Sequence, residues 1–247
     1  MRLSEVTVEV EMQDGAKCIP LLGIVASLVG FPLLYMANSL APWSRAFFGN
    51  LDRTYYFVFF ASVLTLHWLN AGLAIFLTRK AGLTLEDLGL YLSWGRALRV
   101  LRNLIILGAV FVLLRQVVPY SLERPDALAI FPRSVYEQLF FIPVALSAGF
   151  CEEIVYRGFG ITALAARGLR VWQAVVLTTL SFTFMHGPAG IFAFPIFFGG
   201  GLLYAGIYFG RVGGISWGRF IRPSGTKSLL RAMVIHGIGD MTAILVP

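Results

Sequence analysis

The chain has 247 residues, 57% of them hydrophobic and only 13% charged, with a formal net charge of +7. A soluble domain carries about 25% charged residues, so this composition excludes an ordinary water-soluble fold and points to an integral membrane protein, read as one domain over 1–247. The two cysteines, Cys18 and Cys151, lie far apart, which excludes a disulfide framework and any metal-type Cys spacing.

The first eighteen residues are polar and slightly acidic, unlike the basic start of a signal peptide. Hydropathy then predicts an all-α, polytopic membrane helix bundle of about seven transmembrane helices, each near the 20 residues that cross the hydrocarbon. The predicted spans are Ile19–Ala41, Tyr55–Thr78, Arg99–Val118, Val135–Tyr156, Val171–His186, Ile191–Phe209 and Ser228–Val246. Between the second and third, Gly82–Leu90 (GLTLEDLGL) pairs Thr84 with Asp87 in the manner of a capping box, and predicts a short helix lying in the interface. In the sixth span, Pro195 predicts a kink, and Gly199–Gly201 predict close helix packing.

Of the 20 Lys and Arg, all but Arg45, Arg53, Arg115, Arg124 and Arg133 fall on the side that carries the N-terminus. Lys and Arg concentrate on the cytoplasmic side of membrane proteins, so this bias predicts the N-terminus inside and the C-terminus outside, in the cytoplasmic membrane of a bacterium. The basic residues are scattered over short loops and form no nucleic-acid surface. Their partner is the lipid bilayer.

Charged groups inside an apolar span are expensive and mark function by default. The stretch Ser147–Gly160, SAGFCEEIVYRGFG, holds three: Glu152, Glu153 and Arg157. Glu153 and Arg157 are four apart with the acid first, the favourable order for an ion pair on a helix. Glu152 points about 100° away, which leaves it free for chemistry. His186 ends the fifth span, and His236 and Asp240 share a face of the seventh. His67, in the second span, has no acidic neighbour in sequence and reads as a packing residue. Polar groups within a bilayer must face one another or a wet cavity, so Glu152, Glu153, Arg157, His186, His236 and Asp240 are expected to converge on one site. A carboxylate base, imidazoles and oxyanion-binding groups suit hydrolysis by water. No activated serine or cysteine is present for a covalent route, because the carboxylates beside Cys151 oppose its ionisation.

In order, EEIVYR (Glu152–Arg157), FTFMH (Phe182–His186) and HGIGD (His236–Asp240) resemble the EExxxR, FxxxH and HxxxN/D motifs of the CPBP family. That family comprises CAAX prenyl endopeptidases and bacterial proteins of bacteriocin processing and self-immunity. The motif-bearing core is about 135–247. The resemblance implies a glutamic-type intramembrane endopeptidase cleaving a membrane-anchored or lipidated protein or peptide. It implies Glu152 as the base, assisted by His186 and supported by Glu153 and Arg157, with His236 and residue 240 at the oxyanion. It also implies that, if a metal such as Zn2+ is used, Glu152, His186, His236 and Asp240 are its ligands. No cofactor is expected, since none of these residues forms a dedicated zinc motif. An ionised aspartate cannot donate a hydrogen bond as asparagine does, so Asp240 is read as orienting His236. The alternatives are a non-catalytic immunity or scaffold protein of the same fold, and a proton-coupled transporter. The latter is opposed by the lack of paired inverted repeats.

Overall fold

A computed structural model describes residues 19–50, 52–91, 94–117, 131–187, 193–212, 215–216 and 227–245. Cys18, Arg124 and Pro188 lie outside these residues. The described chain is helical apart from its turns and a two-stranded antiparallel ribbon, β1 (Arg211–Val212) with β2 (Ile215–Ser216). The helices are α1 (Leu21–Ser39), α2 (Pro42–Asn50), α3 (Tyr56–Lys80), α4 (Trp94–Val117), α5 (Val135–Ala165), α6 (Val171–Met185), α7 (Phe194–Tyr208) and α8 (Leu229–Met241).

Among the described residues, four segments are long and apolar enough to cross a membrane: Leu21–Ser39, Arg53–Lys80, Ala97–Gln116 and Val135–Ala165. The expected count of about seven spans is not confirmed. The helices at the fifth, sixth and seventh positions have 15, 15 and 13 residues, short of the roughly 20 that a crossing needs. The fourth span is longer than expected, continuing nine residues past Tyr156 to Ala165. Arg157, just past the expected end, is buried, and the helix runs on through it. Pro195 makes no kink, since it occupies the first turn of α7, where its missing N–H has no intrahelical partner to lose.

The expected interfacial helix over Gly82–Leu90 is absent. Thr84 and Asp87 do bond each other, Thr84 N and Oγ1 donating to Asp87 Oδ2 at 2.7 and 2.8 Å. The segment nevertheless closes as a turn, with Leu90 N on Leu85 O at 2.9 Å and Gly89 at φ 87°. Its apolar side chains go into the bundle, with Leu88 and Leu90 buried. Its backbone is tied down by Tyr208 Oη donating to Leu88 O and by Leu229 N donating to Gly89 O.

Helix α5 is the axis of the molecule, and α8 and α3 both pack along it. It starts in a capping box: Ser134 Oγ accepts from Glu137 N, and Glu137 Oε2 accepts from Ser134 N. Glu137 also receives both arms of Arg53, Nε at 3.0 Å and Nη2 at 2.5 Å, a bidentate pair of the strong kind. This clamp joins the starts of α3 and α5, so the two helices begin at one level.

Against α8 the contact is backbone to backbone. A Cβ on Gly149 would lie 2.7 Å from Gly237 N, 2.9 Å from Gly237 Cα and 3.0 Å from Met233 O. Only glycine permits this approach, which resembles the small-residue packing of membrane helices. We expect Gly149→Ala to force α5 and α8 apart, lowering stability by about 1–3 kcal/mol as overpacking does. Gly72→Ala, where an added Cβ meets nothing within 4 Å, should unfold like the wild type. Thermal unfolding of the purified protein in detergent checks the pair; equal midpoints for both variants would refute the close contact.

Candidate active site

The site begins where α5 changes its winding. Residues Glu153–Gly160 are π-helical between α-helical flanks, and π turns inside α-helices occur frequently at functional sites. Glu152 and Glu153 sit at the junction. Both are buried, as are Arg157, His236 and His67, none more than 6% exposed. Such charges persist inside a protein only when paired and hydrogen-bonded.

Glu153 is the hub of the buried pairing. Its Oε1 lies 3.0 Å from Arg157 Nη1 and accepts from His236 Nδ1 at 2.8 Å. The expected pair of Glu153 with Arg157 is thus formed. Arg157 continues outward, donating from Nη2 to Gly201 O at 3.1 Å and setting its guanidinium over the rings of Phe182 and Tyr204. One guanidinium therefore touches α5, α6 and α7.

Glu152 is placed differently. Its Oε1 lies 2.6 Å from His67 Nε2. Its Oε2 is buried without a hydrogen-bond partner and stands 3.5 Å from His236 Nε2. Asp240 Oδ2 lies 3.6 Å from the same nitrogen. Both separations exceed a direct hydrogen bond. Glu152 Oε2 and Asp240 Oδ2 thus both stand beside His236 Nε2, just beyond direct hydrogen-bond distance. Asp240 is the outermost of the three, with 32% of its side chain exposed.

The structure therefore brings Glu152, Glu153, Arg157, His236 and Asp240 together. His186 caps the C-terminal end of α6. Its Nδ1 donates to Phe182 O at 2.9 Å, and its ring stacks on Phe197 at 4.1 Å. It makes no hydrogen bond to Glu152 among the described residues. The orienting contact of His236 comes from Glu153 at 2.8 Å, in place of the Asp240 contact expected from the sequence.

Two residues of this site escaped the sequence reading. Tyr204 of α7 lies flat on the His236 ring, at 4.2 Å and 14°; a tyrosine in an apolar helix carries no signal that separates it from core. His67 does carry one. An ionisable group within a span needs a partner, and the partner of His67 lies 85 residues away, out of reach of any local pattern. Tyr35, Asn70, Cys151 and Tyr156 line the small enclosure beside His67 and Glu152. Cys151 is a buried free thiol.

The donor set was tested for a metal. Among the described residues no group of three or more His, Cys, Asp or Glu side chains is arranged to hold an ion. The reason is visible in the pairing: His67 Nε2 and His236 Nδ1 are turned onto carboxylates, and Arg157 sets a positive charge against Glu153.

Residues 135–242 match the family model described as type II CAAX prenyl endopeptidase Rce1-like. The match covers less than half of the chain. The matched segment contains all three motifs, and the four long apolar helices among the described residues suit an integral membrane protein. No curated protein and no solved structure matches the chain. The matched segment supplies every residue of the cluster except His67, which α3 brings in from outside it.

The buried pair generates a stability prediction. Removing one partner of a buried ion pair leaves an uncompensated charge and costs about 3–5 kcal/mol. We expect Arg157→Met to lower thermal stability and membrane yield sharply. The double variant Arg157→Met with Glu153→Gln should recover part of that loss. A double-mutant cycle in detergent measures the coupling; purely additive losses would show that the two charges do not compensate each other.

Proposed function

We propose that the protein is an intramembrane endopeptidase that hydrolyses a peptide bond of a membrane-anchored or lipidated protein with water activated by Glu152. The observation that carries this reading is the unpartnered, buried Oε2 of Glu152, 3.5 Å from His236 Nε2. Its neighbour Glu153 likewise keeps a buried Oε2 without a hydrogen-bond partner among the described residues, but its Oε1 is tied to both Arg157 and His236, so it is read as the structural acid of the pair. The Rce1-like family description supports the substrate class.

In this reading the hydrolytic water sits against Glu152 Oε2. Glu152 takes one proton from it as the oxygen bonds to the scissile carbonyl carbon, and the carbonyl π pair moves to its oxygen. His236 acts as an imidazolium, which donates from both nitrogens: Nδ1 is held by Glu153 and the ring is stacked on Tyr204, leaving Nε2–H for the developing oxyanion. Donors aimed at such an oxygen before reaction are worth about 2.7–4 kcal/mol each. The tetrahedral intermediate collapses with cleavage of the C–N bond, and the proton on Glu152 passes to the leaving nitrogen. Asp240, partly exposed beside His236 Nε2, faces incoming substrate in this reading.

The test is cleavage of a farnesylated peptide ending in a CAAX sequence, reconstituted with the protein in liposomes. We expect Glu152→Gln to abolish turnover while the protein remains folded, and Asp240→Asn to keep substantial activity, because the amide donates where the carboxylate cannot. A strong chelator should leave the wild type active. Activity lost to the chelator and restored by zinc would overturn the metal-free mechanism, and undiminished turnover by Glu152→Gln would overturn the assignment of the base.

The positive-side bias supports an N-terminus on the cytoplasmic side. The first two long helices then return the chain to that side. Reporter fusions at the N-terminus and after Lys80 should both read cytoplasmic, and a fusion after Arg124 should read the opposite face. A cytoplasmic signal at Arg124 would refute the orientation.

A further inference from the structure

The two oxygens of Glu152 have different surroundings, and the difference is made by a residue outside the segment that matches the family model. His67 Nδ1 lies 2.9 Å from Val63 O, one turn earlier on α3. A carbonyl oxygen can only accept, so Nδ1 is the donor. The other nitrogen, Nε2, faces Glu152 Oε1 at 2.6 Å. If Nε2 carried a lone pair and Oε1 belonged to a bare carboxylate, two acceptors would meet at that distance. One proton must lie between them.

The meeting is built into the helices. Arg53 and Glu137 clamp the starts of α3 and α5 together. His67 is fourteen residues beyond Arg53, and Glu152 is fifteen beyond Glu137, so both stand at about the same depth at a rise of about 1.5 Å per residue. The imidazole is fixed further by the edge of the Tyr35 ring at 5.1 Å. One turn on, Asn70 bonds Ser27 of α1 through both its amide groups, so α3 cannot rotate without breaking that tie.

We propose that His67 is the positioning residue of the catalytic glutamate: it immobilises Glu152 Oε1 through a shared proton and leaves Oε2 as the single oxygen that takes the proton of the hydrolytic water. This rests on the peptidase reading above. The proton count closes. The pair starts with one shared proton and gains a second, on Oε2, from water. It gives that second proton to the leaving nitrogen as the C–N bond breaks, and returns to its starting state with the shared proton in place.

The experiment has two arms. In the first, protein labelled with 15N-histidine is examined by NMR in detergent; the chain has three histidines, so the spectrum is assignable by substitution. A strongly downfield imidazole proton is expected, and it should vanish in His67→Gln and equally in Glu152→Gln. In the second, turnover of the farnesylated peptide is measured. His67→Leu is expected to lower kcat roughly 10²-fold, the lower end of general-base effects, with KM unchanged. His67→Gln, whose amide N–H still donates to Oε1, should recover activity to within about tenfold of the wild type. Should His67→Leu fold poorly, His67→Gln against His67→Phe, matched for thermal midpoint, gives the same comparison. Wild-type turnover in His67→Leu, or no Glu152-dependent proton resonance, overturns the proposal. A wild-type protein that shows the resonance but cleaves nothing overturns the peptidase reading and the role assigned to His67 with it, while leaving the contact established.

Discussion

Everything in this molecule is arranged around the need to keep two adjacent carboxylates inside apolar surroundings. A buried carboxylate is tolerated only with opposite charge and hydrogen bonds around it. No single helix can supply both for two acids in succession. Glu153 takes Arg157 from its own helix and His236 from α8, and Glu152 takes His67 from α3. Arg157 then needs its own surroundings, which Gly201, Phe182 and Tyr204 provide from α6 and α7. Satisfying two charges thus fixes the relative placement of five helices.

The small residues make this convergence possible. Imidazole and carboxylate side chains are short, so helices that join hands through them must approach closely. Gly149 against Gly237 lets α5 and α8 touch along their backbones one turn from both acids. Gly201 plays the same part between α7 and its neighbours, since a Cβ there would meet Thr179 Cγ2 at 2.8 Å and approach Arg157 Nη2. The close approach and the polar network are therefore one feature, because widening either contact would pull an acid from its partner.

Much of the site was legible in the sequence for a local reason. Glu153 and Arg157 lie one turn apart, and His236 and Asp240 likewise, so helical periodicity announces both pairs. Helical positions were legible from hydropathy, but their lengths and roles were less so. Hydropathy alone cannot tell a helix wrapped by other helices from one that crosses lipid, and the last three helices are short. The TLEDLGL segment carries a helix-starting signal and real Thr84–Asp87 bonds, yet Gly89 in a left-handed conformation and the ties to Tyr208 and Leu229 close it as a turn. The π winding of Glu153–Gly160 has no sequence mark. The same holds for long-range partners: His67 looked like packing because its acid is remote in sequence, and Asp240 looked like the partner of His236 because it is near.

That last exchange bears on how the third motif works. An imidazole that donates through Nδ1 to Glu153 has its tautomer and ring plane set before Asp240 enters the account. Asp240 is then free of the orienting task, and stands 3.6 Å from Nε2 at the partly exposed edge of the site. A side chain in that position acts on what lies beside Nε2 and need not act on the ring. It can hold a water or a substrate N–H as an acceptor, whereas an asparagine there would offer a donor as well. On the proposed reading, the difference between the two residues belongs to substrate contact rather than to the machinery that holds His236.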